Sequence, residues 1–107
     1  MTPLDQTEDT NEVEEVGNVE RASSAPTALA VLRYLGVELS QNPDRVIVQE
    51  LAEGPKRVKL TLLVDKADMG RIIGRHGKIA SSIRAVVRAA GAKDGLDAMV
   101  EIQERIN

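Results

Sequence analysis

The sequence predicts one α+β domain in which helices pack against a three-stranded sheet. Two stretches repeat apolar residues at helical spacing, and three others have the alternation or β-branched content of strands. With 107 residues the chain has room for one domain of ordinary size, and its 42% hydrophobic and 29% charged content is typical of a soluble globular protein. The predicted order of elements is helix, strand, strand, short helix, helix, strand.

Residues 1–25 are predicted to be an acidic, disordered tail, and residues 26–107 the domain. Residues 1–20 carry seven acidic side chains, no lysine or arginine, and too few apolar residues to cover a core. The rest of the chain has ten acids and fourteen bases, so it is mildly basic although the whole chain has a net charge of −3. Such a tail either keeps the protein solvated or competes with an anionic ligand for a basic surface.

The first helix is predicted to begin at Pro26, because two serines that can cap it precede this proline, which suits a first turn. Gly36 lies inside the apolar pattern of this helix and is one candidate for its end, but the pattern continues past it to Leu39 and favours an end at Asn42-Pro43. Tyr34, the one aromatic residue in the chain, is predicted to be a partly buried anchor, with a dimer contact as the alternative. The apolar face of the helix consists of Ala28, Leu32, Leu35 and Leu39.

Two strands follow, and they are predicted to form an antiparallel hairpin. Residues 45–51 are rich in β-branched and apolar side chains, and Glu53-Gly54-Pro55 has the chemistry of a turn. Residues 58–64 alternate apolar with mostly polar side chains, which predicts a strand with one buried face. The last predicted strand covers residues 96–102 and alternates in the same way.

Between the second and third strands the sequence predicts a short helix, a turn and a longer helix. Asp65 can cap the short helix, which includes residues 67–69. The longer helix ends near Gly91 and has an apolar stripe that is predicted to face the core, with its N-terminal part near Ile83 available to a groove. The members of this stripe are Ile79, Ile83, Val86, Val87 and Ala90.

The turn between these two helices reads Gly74-Arg75-His76-Gly77, and Lys78 follows it. Two glycines at this spacing are weak evidence by themselves, because chance often supplies such a pair. A corner that is only structural, however, has no need for cationic residues at its tip. Glycine allows the backbone to approach a phosphate closely, and the free amides that open the next helix favour an anion. The sequence therefore predicts contact with a sugar-phosphate backbone.

The stretch from Asp68 to Ala90 resembles the small bacterial single-KH-domain proteins of the KhpA family, and Asn42-Pro43-Asp44 fits the same pattern. The resemblance covers about residues 27–104 and implies the type II KH fold. It also implies single-stranded RNA binding, a role as an RNA chaperone or post-transcriptional regulator, and a link to cell elongation and peptidoglycan homeostasis. The implied protein partners are a second copy of the chain, a larger KH-domain protein known as KhpB, Jag or EloR, or both.

The predicted RNA-binding residues combine the glycine loop with flanking cations and apolar neighbours. Ile72, Ile73 and Ile83 are predicted to form an aliphatic floor on which bases rest. Arg84 and Arg88 lie four residues apart on the longer helix and either extend this footprint or form a solvated face. The complete predicted set is Arg71, Ile72, Ile73, Gly74, Arg75, His76, Gly77, Lys78, Ile83 and Arg84.

The sequence does not predict an enzyme. His76 is the one histidine, and it has neither a cysteine nor a G-x-S-x-G serine as a nucleophile to activate. Gly77-Lys78 is not part of a phosphate-binding P-loop, because Ile72 and Ile79 stand where that motif needs glycine and serine or threonine. We expect no metal, cofactor, small-molecule substrate or membrane contact, and a cytoplasmic location. A protein-association adaptor with secondary RNA contact remains the alternative.

Overall fold

The computed structural model describes residues 23–106, and the predicted α+β order is confirmed. Short 3₁₀ turns precede β1, α2 and α3. The predicted tail lies outside the described residues except for Ser23, Ser24 and Ala25. The Ser23 and Ser24 hydroxyls donate hydrogen bonds to Glu50, and Ala25 is buried. The elements are α1 (Pro26–Leu39), β1 (Ile47–Ala52), β2 (Arg57–Val64), α2 (Met69–Ile73), α3 (Lys78–Lys93) and β3 (Asp97–Glu104).

The sheet has the strand order β1-β2-β3, so β1 and β3 are its edges. The predicted antiparallel hairpin of β1 and β2 is confirmed, whereas β3 pairs with β2 in parallel. The alternation predicted for β2 corresponds to its buried side, which faces the helices. On this side Val58, Leu60, Leu62 and Val64 are each at most 1% exposed.

Helix α1 continues through Gly36, as predicted, and ends at Leu39. Glycine lets α1 pack closely on the sheet here, because an added Cβ would lie 2.8 Å from Cδ1 of Leu62, whose side chain would have to shift. The helix begins at Pro26, as predicted, but the predicted serine cap is wrong, since the amides of Thr27 and Ala28 donate to the Asp94 carboxylate. The prediction for Tyr34 is wrong: its side chain is 63% exposed.

The inner side and the flank of helix α3 have different surroundings. Its inner side, on the sheet and α1, is buried and contains Ile83, Val87 and Ala90, as predicted. Two other members of the predicted stripe, Ile79 and Val86, are 36% and 49% exposed, because they lie on the flank of α3 rather than facing the sheet.

No helix among the described residues is long and apolar enough to cross a membrane.

Candidate nucleic-acid interface

The glycine loop joins α2 to α3, and the sign of the backbone angle φ changes more than once along it. Gly74 has φ 77° and ψ 175°, a region that is essentially restricted to glycine. His76 follows at φ 56° and Gly77 at φ 73°, both left-handed, whereas Arg75 keeps a negative φ. Neighbouring residues of opposite hand, such as Arg75 and His76, are a common feature of backbone concavities that bind anions.

No side chain among the described residues caps the start of α3. Gly77 is the N-cap of α3 and provides no side chain, while its own N–H donates to the Gly74 carbonyl at 3.1 Å. The N–H of Lys78, the first residue of the helix, donates to the Arg75 carbonyl. The positive end of the helix dipole therefore lies at this turn without a side-chain acceptor. Ile79 packs over Gly74 so closely that an added Cβ there would lie 2.6 Å from Cγ1 of Ile79.

Positive charge surrounds this turn and is not neutralised within the described residues. Arg71, Arg75 and Lys78 are all exposed, and none of them forms an ion pair in the part of the chain that the structure describes. The exposed imidazole of His76 stands between them at the tip of the turn. The structure thus brings together the cationic and glycine members of the predicted set, from Arg71 to Lys78.

A cleft continues from the loop along α3, between this helix and the free edge of β3. On the strand side its wall includes the half-exposed Met99 and Val100. Arg84 crosses the cleft, and its Nε donates to the Val100 carbonyl oxygen at 3.3 Å. Small side chains on α3 leave the cleft open. The residues that line it are Ser81, Arg84, Ala85, Arg88, Ala98, Met99 and Val100.

The aliphatic floor predicted from the sequence is corrected by the structure. Ile72 is 0% exposed and Ile83 is 3% exposed, so both belong to the core and offer almost no surface to a ligand. Ile73, at 38% exposed, is the one predicted floor residue on the surface. The cause lies in the helix geometry, because consecutive residues of α2 point about 100° apart and only Ile72 points into the core.

Sequence reasoning did not identify most of the cleft. Ser81, Ala85, Met99 and Val100 were not among the predicted residues, and Arg88 was one of two residues with an open assignment. A signal was present, because positions 77, 81, 84 and 88 recur at helical spacing and share one side of α3. That side becomes a cleft only because β3 is an edge strand, which the alternation of a strand does not reveal.

A second, apolar surface lies on the flank of α3 that faces α1. Its lining exposes mainly carbon, in contrast to the mixed lining of the cleft. Ile79 and Val86 contribute its exposed part, and Tyr34 is exposed on α1. We call it the α1–α3 surface, and its members are Leu35, Leu39, Ile79, Ser82, Ile83 and Val86.

One buried carboxylate fixes the base of the short helix that leads into the loop. Asp68, directly before α2, is 1% exposed and accepts hydrogen bonds from the Ser40 hydroxyl, the Gln41 amide at 3.0 Å and the Asn42 side chain at 3.3 Å. The hydrogen bond from Ser40, followed by that from the Gln41 amide, lowers the pKa of Asp68. These donors keep the carboxylate ionised although no cation of the described residues pairs with it.

This arrangement defines the class of the protein. A KH domain of type II has a helix and a β-hairpin, followed by two helices that a glycine loop joins and a third strand parallel to the second. The described residues have this arrangement. The chain belongs to the KhpA/KhpB KH-domain family, whose model matches residues 30–102.

Individual relatives agree with this family. The RNA-binding protein KhpA of Aquifex aeolicus is 43% identical over 74 residues, which cover 69% of this chain and 92% of that protein. The RNA-binding protein KhpA of Clostridium acetobutylicum is 39% identical over 72 residues, 67% of this chain and 95% of its own length.

A solved structure of Aquifex aeolicus Era has the same fold over 81% of this chain, with a TM-score of 0.63 and 15% identity. The match spans 33% of the Era chain. At this identity the likeness concerns the fold alone.

Proposed function

We propose that this chain binds single-stranded RNA, with the phosphate backbone at the Gly74–Gly77 loop and the bases in the cleft beside α3. One observation carries the proposal: within residues 23–106, the start of α3 has no side-chain cap and lies next to cations without ion pairs, near one end of an open cleft. The names of the curated relatives, which are RNA-binding proteins, support the same conclusion.

In this mechanism the loop recognises charge and shape rather than sequence. The positive end of the α3 dipole attracts phosphate, and the absence of a Cβ at Gly77, where nothing lies within 4 Å, permits close approach. Arg75 and Lys78 add long-range attraction, and His76 can donate to a phosphate from its ring. Loops of this type clamp about four nucleotides of backbone.

Base selection then falls to the cleft. Bases of a single strand are free to turn toward Ala85 and Met99, whereas bases of a duplex are already paired and stacked. The Arg84 guanidinium and the outward-facing carbonyl of Val100 offer a donor and an acceptor to base edges. No aromatic platform is present among the described cleft residues, so binding depends on aliphatic contact and hydrogen bonds rather than stacking.

The biological role rests on the family rather than on geometry. We propose an RNA chaperone or post-transcriptional regulator, connected with cell elongation and peptidoglycan homeostasis, that acts with a larger KH-domain protein of the KhpB, Jag or EloR type. Family membership also supports a binding protein without catalysis, which agrees with the interpretation of His76 as a phosphate donor rather than a general base.

The α1–α3 surface supports a homodimer as the second part of the proposal. Exposed Ile79 and Val86 beside Leu35 and Leu39 form a nearly polar-free patch, and such patches mark interaction sites. This patch lies on the opposite flank of α3 from the cleft, so pairing there leaves both RNA sites open. A purely adaptor function, with RNA contact secondary, uses the same surface.

Sequencing of RNA crosslinked to the protein in cells tests the proposed function. The comparison is between the wild-type chain and a chain whose loop carries Arg75→Asp and His76→Asp, at equal abundance. We expect defined crosslinked RNAs with the wild type and their loss with the variant. Equal recovery of the same RNAs from both chains would contradict the loop as the binding element.

A further inference from the structure

A compact charged cluster closes the end of the cleft that lies farthest from the glycine loop. The Asp97 carboxylate stands between two guanidinium groups, with Oδ2 3.3 Å from Nη2 of Arg57 and Oδ1 3.6 Å from Nε of Arg88. Arg57 and Asp97 are direct neighbours in the parallel register of β2 and β3, whereas Arg88 reaches across from α3. Two strands and a helix therefore meet at one acidic side chain.

The ion pairs within this cluster are weak. The side chains of Arg57, Arg88 and Asp97 are 54%, 69% and 42% exposed, and ion pairs in such positions contribute between about 0 and 1 kcal/mol each. A ligand with its own negative charge can replace the carboxylate at little cost. The fold does not depend on Arg88, whose side chain is mostly in solvent.

The cluster also has excess positive charge. Lys56 is adjacent, because its carbonyl accepts a hydrogen bond from the Asp97 amide at 2.8 Å, and its side chain is exposed. Glu53 is the other acidic residue at this turn, where its amide donates to the Arg57 carbonyl. Within the cluster itself two guanidinium groups meet one carboxylate, so a phosphate is attracted here.

The position of the cluster relative to the loop suits one continuous strand of RNA. Arg88 follows Gly77 by eleven residues of α3, which corresponds to about 16 Å along the helix axis. Arg88 lines the cleft, and Gly77 stands about one helical turn before Ser81, another residue of its lining. A strand held at the loop and running along the cleft reaches Arg88 several nucleotides later, after the roughly four that such a loop clamps.

We propose that Arg57 and Arg88 form a second phosphate-binding position at the distal end of the cleft, which Asp97 occupies in the absence of RNA. This inference rests on the proposed RNA-binding function and extends its footprint beyond the loop. Asp97 has two effects in it: it orients both guanidinium groups toward the cleft, and it competes with the incoming phosphate.

Affinity measurements with two oligonucleotides test the proposal. One is about four nucleotides long, the length that the loop clamps, and the other is about twice that length. For the longer RNA we expect the combined Arg57→Gln and Arg88→Gln substitutions to weaken binding several-fold and to make the log–log salt slope shallower by about 1.4, from two lost contacts. The shorter RNA should bind as before. Asp97→Asn should strengthen binding of the longer RNA at low salt.

Two controls keep the outcomes separate. Arg33→Gln removes an exposed arginine of α1 and should change neither RNA, and thermal melting of every variant checks the fold. If the two glutamine substitutions leave the longer RNA unchanged, or weaken both RNAs equally, the distal site is wrong. In either case Arg75→Asp with His76→Asp decides the proposed function separately, because those substitutions should abolish binding of both RNAs.

Discussion

The hydroxyl of Ser40 donates a hydrogen bond to the buried carboxylate of Asp68, and this bond joins the end of α1 to the start of α2. Since α2 is only five residues long and leads directly into Gly74, the placement of the glycine loop depends on this contact. The RNA loop is therefore supported by a side chain that cannot itself touch RNA.

Replacement of Asp68 by asparagine should destabilise the domain by about 1–3 kcal/mol at neutral pH, because a buried carboxylate loses its charge-assisted hydrogen bonds. The folded pKa of Asp68 is lowered, first by the Ser40 hydroxyl and then by the Gln41 amide. The stabilisation is thus present above the unfolded pKa of about 3.9 and is lost as pH falls through the folded value.

Denaturant unfolding of wild type and Asp68→Asn between neutral pH and strongly acidic pH measures this effect, with exposed Asp44→Asn as the control. The difference in free energy of unfolding should shrink toward zero in acid. A difference that is absent at neutral pH, or that persists unchanged in acid, would rule out this role of the carboxylate.

Gly74→Ala should be more destabilising than Gly77→Ala, although both glycines have positive φ. Alanine at position 77 meets only the cost of left-handed backbone, about 1–2 kcal/mol, because nothing lies within 4 Å of its Cβ. Alanine at position 74 would have to adopt backbone angles that are essentially restricted to glycine, and its Cβ would also collide with Ile79. Thermal melting of the two variants checks the order, and equal melting temperatures would show that the close approach of Ile79 carries no cost.

The affinity for single-stranded RNA of about four nucleotides should fall with salt along a log–log slope of about −2. This value assigns one phosphate contact, worth about −0.7, to each of Arg71, Arg75 and Lys78. Lys78→Gln should reduce the slope by about one contact. A slope near zero with intact binding would mean that charge is not what holds the RNA.

Val86→Glu should dissociate a homodimer while leaving the protomer folded. Val86 is 49% exposed within a single chain, so a carboxylate there is solvated in the monomer but buried at a paired α1–α3 surface. Sedimentation velocity compares this variant with wild type and with Ala92→Glu, an exposed control on the same helix. If wild type sediments as a monomer at high concentration, or if both variants behave alike, the α1–α3 surface is not the dimer contact.

The sequence predicted the elements well, because helical spacing, alternation and turn chemistry are local signals. Gly36 was correctly kept inside α1 on the strength of the apolar pattern around it. Local signals do not show which residues at the edge of an apolar helical stripe are covered by another element. For this reason the sequence predicts Ile79 and Val86 in the core. Their exposure depends on where α1 packs, a contact between residues far apart in the chain.

The same limit applies to the site. The glycines and cations of the loop were predictable because they are contiguous and chemically unusual. Ile72 and Ile73 look equivalent in the sequence, yet only Ile72 is buried in the core. The cleft required knowledge that β3 pairs in parallel with β2 and leaves its other edge free, so that Met99 and Val100 meet Ala85 across it.

The most direct test of the RNA clamp is the affinity of folded Arg75→Asp, His76→Asp protein for single-stranded RNA. Both side chains are exposed, and aspartate tolerates the left-handed backbone at position 76, so stability should stay near that of wild type. Two carboxylates at the start of α3 repel phosphate, so affinity should fall by more than about tenfold, or about 1.4 kcal/mol. Arg33→Asp, which changes charge on α1, should bind nearly as wild type does. If the folded double variant kept wild-type affinity, the loop would not be the clamp, and the adaptor function would replace RNA binding as the account of this protein.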